Sequence, residues 1–418
     1  MKVELEINNS VDPRAQFVSW APSPCRIRVT DPSGAAGPTA NVQLTSVSAA
    51  SAGAVVFRKG TTGAFSNSVT VSVPVTGASV PFFVAGKFGR PSVNNGDVRI
   101  EARVTPSTGS PQLVGSARLM VRVRKNADTL TPGERDRFLA ALGRLNNQGL
   151  GRFKDFRDMH TTASDLQSHR APGFLPWHRA YLLDLERELQ AIDASVSLPY
   201  WRFDRAAPNL FTTDFIGVSG PNGTVQFSNT NPLQFWTTDN VLGVNRRPLN
   251  NWNPATQPAP IVINETQTLA LGGSNNLYRL FRGMEGNPHG QTHVSFGGSI
   301  SVIGTAAKDP LFFLLHCNVD RLWAKWQRQN GRFDPAQAAS YDSTPASRVG
   351  HNLPDTMWPW NGVTGGTRPP TAPGGTLAAS PCVSAPGPQP RVRDCLDYQG
   401  SVNAISGLGF DYDDVRFV

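Results

Sequence analysis

Histidine is the scarcest constraint on this chain. It occurs seven times in 418 residues, and six of the seven fall in two groups of three: His160, His169 and His178, then His289, His293 and His316. A lone histidine is commonly a satisfied core or surface residue, but two triples in one region of the chain demand a shared partner. His289 and His293 are four residues apart, so on a helix they lie on one face and can bind one metal ion. Asp309-Pro310 opens a further helix, with Asp as N-cap and Pro at the first position. Its apolar surface is Leu311, Phe312, Leu314, Leu315, Val319, Leu322 and Trp323, and His316 lies within it. An unpaired ring there costs free energy, and coordination satisfies it. Pro176 suits the first position of another helix, which puts His178 in the first turn. His160 and His169 arrive from the preceding segment.

Six imidazoles without a carboxylate argue against a di-iron carboxylate site and against magnesium or calcium, which prefer oxygen. Imidazole suits copper, zinc, nickel and iron. A single three-histidine zinc site stays open at this point. Two adjacent three-histidine sites point towards copper, because neutral ligands serve both Cu(I) and Cu(II).

The length suggests two domains. With 39% apolar and 17% charged residues the chain reads as a soluble globular protein with a core. No apolar run is long enough to cross a membrane. Met1 to Ser10 lacks a signal pattern, which predicts cytoplasmic residence unless a partner exports the protein. The net charge of +8 includes Arg26, Arg28, Arg118, Arg122 and Arg124 on two short segments, read as the solvated faces of two strands. No basic run interleaved with aromatics supports nucleic-acid binding. Of the four cysteines none forms a C-x-x-C pair, which excludes zinc-ribbon and thioredoxin chemistry. Cys382 and Cys395 flank a Pro-rich loop and could bridge; in a reducing cytoplasm they would remain thiols.

Residues 1–125 read as all-β. Arg26-Ile27-Arg28-Val29-Thr30, Val69-Thr70-Val71-Ser72-Val73 and, less strictly, Arg118 to Val123 alternate polar with apolar residues, so each has one buried and one wet face. Short strands separated by Gly, Pro, Ser and Asn clusters predict a β-sandwich of immunoglobulin-like type. Pro81-Phe82-Phe83 reads as an exposed loop that could contribute to a lid over the catalytic site. Residues 126–330 form a mainly α-helical domain, opened by the capping box Thr131-Pro132-Gly133-Glu134. A long Asn/Pro/Gly/Thr-rich stretch from about 204 to 265 interrupts it, which is tolerable if these loops pack over a site. Residues 331–418 are rich in Pro and Gly, but Trp358, Trp360, Phe410 and Tyr412 are too apolar for a free tail; the segment is expected to wrap the helical domain.

The segment Phe174-Leu175-Pro176-Trp177-His178-Arg179 resembles the first copper motif of tyrosinases, catechol oxidases and molluscan haemocyanins. Pro288-His289-Gly290-Gln291-Thr292-His293, followed by Gly297-Gly298, resembles the start of their second copper motif. Asp309 to Trp323 resembles its continuation. The resemblance covers roughly residues 130 to 330. It implies a type 3 copper protein, with an α+β multidomain chain whose helical domain is a four-helix bundle holding a dicopper centre. His160, His169 and His178 would bind the first copper, and His289, His293 and His316 the second. The family usually has two consecutive histidines where this chain has Leu315-His316; the ligand is retained and its neighbour is lost. Many members carry a cysteine thioether-linked to the second ligand of the first copper. None lies between Cys25 and Cys317 here, so no such link to His169 is expected.

The implied activity is oxidation of phenols and o-diphenols to o-quinones by dioxygen, with two copper ions as cofactor and a small phenol and dioxygen as partners. An o-aminophenol oxidase and a haemocyanin-like oxygen carrier are the alternatives; a dinuclear zinc hydrolase lacks its carboxylates. Any copper-delivery partner is unidentified. In the family a Glu and an Asn near the second copper hold a water that deprotonates the phenol. The Glu position resembles Glu285, and the Asn position is Gly290 here. The residue that gates the second copper aligns with Ile303. A glycine has no side-chain acceptor, so the water is held less firmly, and diphenol oxidation is expected to outpace phenol hydroxylation, which shows a lag. Asp320 is expected either to accept an imidazole N–H, as metal-bound histidines require, or to pair with Arg179. His351 matches no motif and reads as incidental. Trp323 and Trp326 read as core.

Overall fold

The computed structural model describes residues 1–12, 16–106, 109–146, 150–342 and 348–417. The chain divides into two compact units. The first is Met1–Val123 with Ser380–Ser384 and Gly409–Phe417; the second comprises Arg124–Ala379 and Ala385–Leu408. The C-terminal segment is therefore shared between the two units.

The first unit is built from strands β1 (Lys2–Ile7), β2 (Phe17–Val18), β3 (Ser23–Asp31), β4 (Thr39–Val47), β5 (Val55–Arg58), β6 (Ser68–Pro74), β7 (Val80–Gly86), β8 (Val98–Val104) and β9 (Gln112–Val121). They form a four-stranded sheet, β1-β3-β7-β5, and a five-stranded sheet, β2-β9-β8-β4-β6. Pairing is antiparallel except between β2 and β9. Side chains from both sheets meet in one core that includes Ile27, Val42, Leu44, Phe57, Phe82, Val84 and Ile100. The alternation in the sequence is the cause: along β3, Cys25, Ile27 and Val29 are buried while Arg26 and Arg28 are exposed, and along β6 Val69, Val71 and Val73 point inward. Two expectations need correction. Pro81-Phe82-Phe83 is not a loop but part of β7, with Phe82 fully buried. Arg122 and Arg124 are not solvated: Arg122 is buried with its guanidinium 4.4 Å from the Phe17 ring centre, and Arg124 lies in the core of the second unit.

The second unit has a mostly helical core: α1 (Pro132–Leu145), α2 (Phe153–Met159), α3 (Asp165–Ser168), α4 (Phe174–Ile192), α5 (Glu265–Leu269), α6 (Tyr278–Phe281), α7 (Gln291–Val294) and α8 (Leu311–Asn330). The capping box at α1 is formed as read, with Thr131 and Glu134 each bonding the other's backbone N–H. Helix α4 begins two residues before Pro176, with Gly173 as N-cap. Helix α8 begins one residue later than read, with Pro310 as its N-cap, and Asp309 Oδ1 accepts the Leu311 N–H at 3.0 Å. The two long helices α4 and α8 pack together around a buried ion network. Asp320 of α8 accepts from Arg179 of α4 at 2.6 Å and from Arg124 at 3.1 Å, and Arg124 also grips Glu186. The guanidinium of Arg179 lies 3.7 Å from the centre of the Trp323 ring. Trp323 and Trp326 are fully buried.

The irregular stretch 204–265 carries short hairpins and buried aromatics. Trp236 packs edge-on against Phe153 of α2 and donates to the Lys308 carbonyl, and Arg246 forms a fully buried pair with Asp309. It braces α2 and the start of α8. From the C-terminal segment, Trp360 donates to Asp184 at 2.8 Å, and the Trp358 carbonyl accepts from Trp177 at 2.6 Å. Among the described residues no helix is long and apolar enough to cross a membrane.

Candidate metal centre

The histidines reach the site by several local devices. His160 is the C-cap residue of α2 and His169 that of α3, so both rings leave their helices where the backbone turns. His178 points inward from the second turn of α4. His289 lies in the helical turn just before α7, and His293 in α7 itself, one turn on. His316 lies in the second turn of α8. All six are buried. Within each trio the candidate ligand atoms lie within 4.8 Å of one another. The trios abut: the His178 and His316 rings stack with centres 4.3 Å apart.

The hydrogen bonds decide which nitrogen faces the centre. A backbone carbonyl can only accept, so a ring nitrogen bonded to one carries the proton. His160 Nδ1 donates to the Ile303 carbonyl at 3.0 Å and His178 Nδ1 to that of Phe174 at 2.8 Å. His289 and His293 donate from Nδ1 to the Glu285 and Ile300 carbonyls, both at 2.7 Å. His169 Nδ1 lies 2.8 Å from Ser168 Oγ, whose own proton goes to the Ser164 carbonyl, so the serine accepts here too. In these five rings Nε2 is left as an unprotonated lone pair. Burial, reinforced by neighbouring imidazoles, holds His169, His178, His289 and His316 well below the usual histidine range. Burial also brings His160 down to about 3 and His293 to about 4.

This arrangement fits a metal pair. The Nε2 atoms of His160 and His178 are buried with no hydrogen-bond partner. His316 Nε2 lies 3.2 Å from Nε2 of both His289 and His293. Lone pairs converging on one point in an apolar site repel and are costly to strand; a cation at the focus turns that cost into coordination. Each trio consists of three neutral imidazoles, a donor set suited to copper, with Nδ1 tied, as metal-bound histidines require, in every ring but His316, whose Nδ1 is buried without a hydrogen-bond partner. Asp320 takes no part, since both of its oxygens serve arginines.

A cavity opens over the trios. Glu285, Gly290 and Ile303 all line it, as do Arg170, Val294 and Ser301. Burial raises the pKa of Glu285, and its Oε1 accepts the Arg170 N–H at 2.7 Å. No sequence signal marks Arg170, or the service done by His351. That ring is fully buried. Its Nδ1 accepts the Gly173 N–H at 3.1 Å, and its Nε2 donates to the Leu166 carbonyl at 2.8 Å. It thereby staples both ends of the loop that carries His169.

Residues 150–329 match the family model for the common central domain of tyrosinase. The tyrosinase of Streptomyces glaucescens is 35% identical over 264 residues, which is 57% of this chain and 92% of that protein. The grixazone synthase of Streptomyces griseus is 32% identical over 265 residues, covering 50% of this chain and 86% of its own. Among solved structures, deoxygenated hemocyanin from Rapana thomasiana aligns with a TM-score of 0.48 and 21% identity over 70% of each chain. With two buried histidine trios and relatives matched over nearly their whole length, the chain belongs to the tyrosinase family of type 3 copper proteins.

Proposed function

We propose that this protein is a dicopper polyphenol oxidase that favours o-diphenols over monophenols. Copper-dependent oxidation of phenols, with dioxygen as co-substrate, is the reaction of its family. The observation that carries the reading is the convergence of neutral imidazoles, five of the six tethered at Nδ1, in two abutting trios. His160, His169 and His178 would hold one copper, and His289, His293 and His316 the other. Bound copper supplies the oxygen-activating and electron-accepting chemistry that no side chain offers.

The chain's own groups do the rest. The tethered rings keep their lone pairs aimed without reorganisation. Phe174 and Phe312, 5.0 Å from His289 and 4.2 Å from His316 between ring centres, wall the site with apolar surface and exclude water. Glu285 is the carboxylate nearest the entering phenol and accepts its proton, through a held water. Gly290 offers that water no second acceptor, which supports a slower step for monophenols, whose hydroxyl must be deprotonated before hydroxylation. Ile303 narrows the entry without the ring of a phenylalanine, so monophenols still reach the site. We further read the natural divisions as 1–125, 126–330 and 331–418. The β unit is read as an immunoglobulin-like sandwich and the helical core as a four-helix bundle.

The test is copper content together with oxygen uptake on a matched monophenol and diphenol. Two copper ions per chain, immediate uptake with the diphenol and a lag with the monophenol are expected. Reversible oxygen binding without quinone would instead make the chain a carrier. Native zinc with no oxygen response would overturn the reading.

A further inference from the structure

The cavity over the histidine trios carries one cation and one carboxylate among its described lining residues, Arg170 and Glu285; much of the rest of its wall is apolar, with Val294, Ile300 and Ile303. We propose that Arg170 is a specificity-determining residue that selects phenols bearing a carboxylate on their side chain. The proposal rests on the phenol-oxidase reading and names the substrate class of that site.

Three observations support it. First, the residue is held in place. Arg170 has φ +58°, a conformation uncommon for a residue with a β-carbon, and its N–H is fixed by Glu285 at 2.7 Å. A glycine would meet the backbone requirement without strain, yet the chain places a guanidinium there. Second, the charge is available. The side chain is 65% exposed, and its ion-pair partner among the described residues is Asp165, 3.2 Å from Nη2. A pair this exposed exchanges readily with solvent or ligand. A guanidinium has five N–H donors in a planar fork, so donors remain for a bidentate carboxylate. Third, the two charges differ in depth. Glu285 is half-buried and engaged by the backbone, whereas Arg170 stands exposed. A phenol with its ring against the apolar wall and its hydroxyl at the histidines directs a side chain of two or three atoms outward, to the rim. There it meets a positive group, which attracts a carboxylate and repels an ammonium.

The experiment compares three catechols differing only in side chain: 3-(3,4-dihydroxyphenyl)propionate, 4-methylcatechol and the corresponding ethylamine. The copper-loaded wild type is expected to prefer the acid over the neutral compound and the neutral compound over the amine, with a preference that shrinks as salt is added. Arg170→Gln should cut the acid-to-neutral ratio of kcat/KM about fivefold, the scale of one exposed charge pair, through KM with kcat little changed. Arg170→Lys should restore part of that loss, and it carries the comparison with wild type if the Gln variant does not fold. A second readout needs no turnover: 3-phenylpropionate should bind more tightly than its amide by calorimetry, and Arg170→Gln should remove the difference. If the ratio and the binding difference both survive in Arg170→Gln, or acid and neutral substrates decline equally, the proposal is overturned. Failure of the parent reading is distinct: 4-methylcatechol would then go unoxidised by wild type.

Discussion

Replacing His351 with alanine removes a staple that touches no ligand directly. The ring spans the Gly173 N–H and the Leu166 carbonyl, and the ligand His169 lies between those two points. Both backbone groups would be left without their partner in a buried site, at about 1–3 kcal/mol each. Taking the middle of that range, the variant is expected to lose about 4 kcal/mol, or a Tm lower by roughly 8 °C at about 2 °C per kcal/mol. Partial substitutions divide the effect. Asn offers an acceptor near the position of Nδ1 and Gln a donor near that of Nε2, so each should recover about half of the loss. Thermal unfolding reads the stability. Copper content after dialysis against a chelator reads the site, and the expected result is preferential loss of one of the two ions, because only the His169 loop is released. An alanine variant within about 1 kcal/mol of wild type would refute the hydrogen-bond accounting. A destabilised variant that keeps both ions as wild type does would show that the staple serves the fold and not the ligand loop.

Three further outcomes follow from particular contacts. Gly290→Asn supplies the missing acceptor, and its Cβ would lie 3.2 Å from the Glu285 carbonyl, tight but open to small adjustment; monophenol turnover relative to diphenol should rise by up to about tenfold and the lag shorten, while an unchanged ratio would show that another group anchors the water. Burial raises Asp184 from 3.8 to about 6 although Trp360 and Ala378 both donate to it. The native state thus holds a proton that the unfolded chain has released, so this group's contribution to stability falls as pH rises from about 4 to 6, by up to about 3 kcal/mol; Asp184→Asn should flatten that part of the stability-versus-pH curve, measured by urea unfolding. Arg124→Met takes the arginine from the buried carboxylate of Glu186 and one of two from Asp320, which keeps Arg179, and should cost about 3–5 kcal/mol; a loss below about 1 kcal/mol, read by the same urea unfolding, would mean that water reaches the network.

The two histidine trios were legible because coordination demands a residue type, and residue type is what a sequence displays. The strands of the first unit were legible for a related reason: their alternation has to match a two-faced sheet, as along β3 and β6. What failed to show depends on distant neighbours or on the backbone. Helix α4 starts at Phe174 and not at Pro176 because Gly173 is the N-cap. A β-carbon at Gly173 would come within 2.5 Å of His351 Nδ1, so the constraint comes from 178 residues away along the chain. His351 looked incidental because its partners are a backbone N–H and a backbone carbonyl, which every segment offers. The choice for Asp320 was between an imidazole and Arg179, and the burial of Arg124, a residue that had read as solvent-facing, supplied the second arginine. Pro81-Phe82-Phe83 looked like a loop because proline suggests one, yet Pro81 is an exposed position of β7 and the strand buries Phe82.

The tethering of the rings by main-chain oxygen has a consequence for how such a centre changes over time. Ile303 and Glu285 each present a side chain to the cavity while their carbonyls hold His160 and His289, and Ile300 does the same for His293. A mutation at any of these positions replaces the wall and leaves the tether, because every amino acid brings the same carbonyl. Substrate recognition and ligand orientation are thus encoded in different atoms of the same residues. Selection can reshape what the cavity admits, one side chain at a time, without first disarming the histidines.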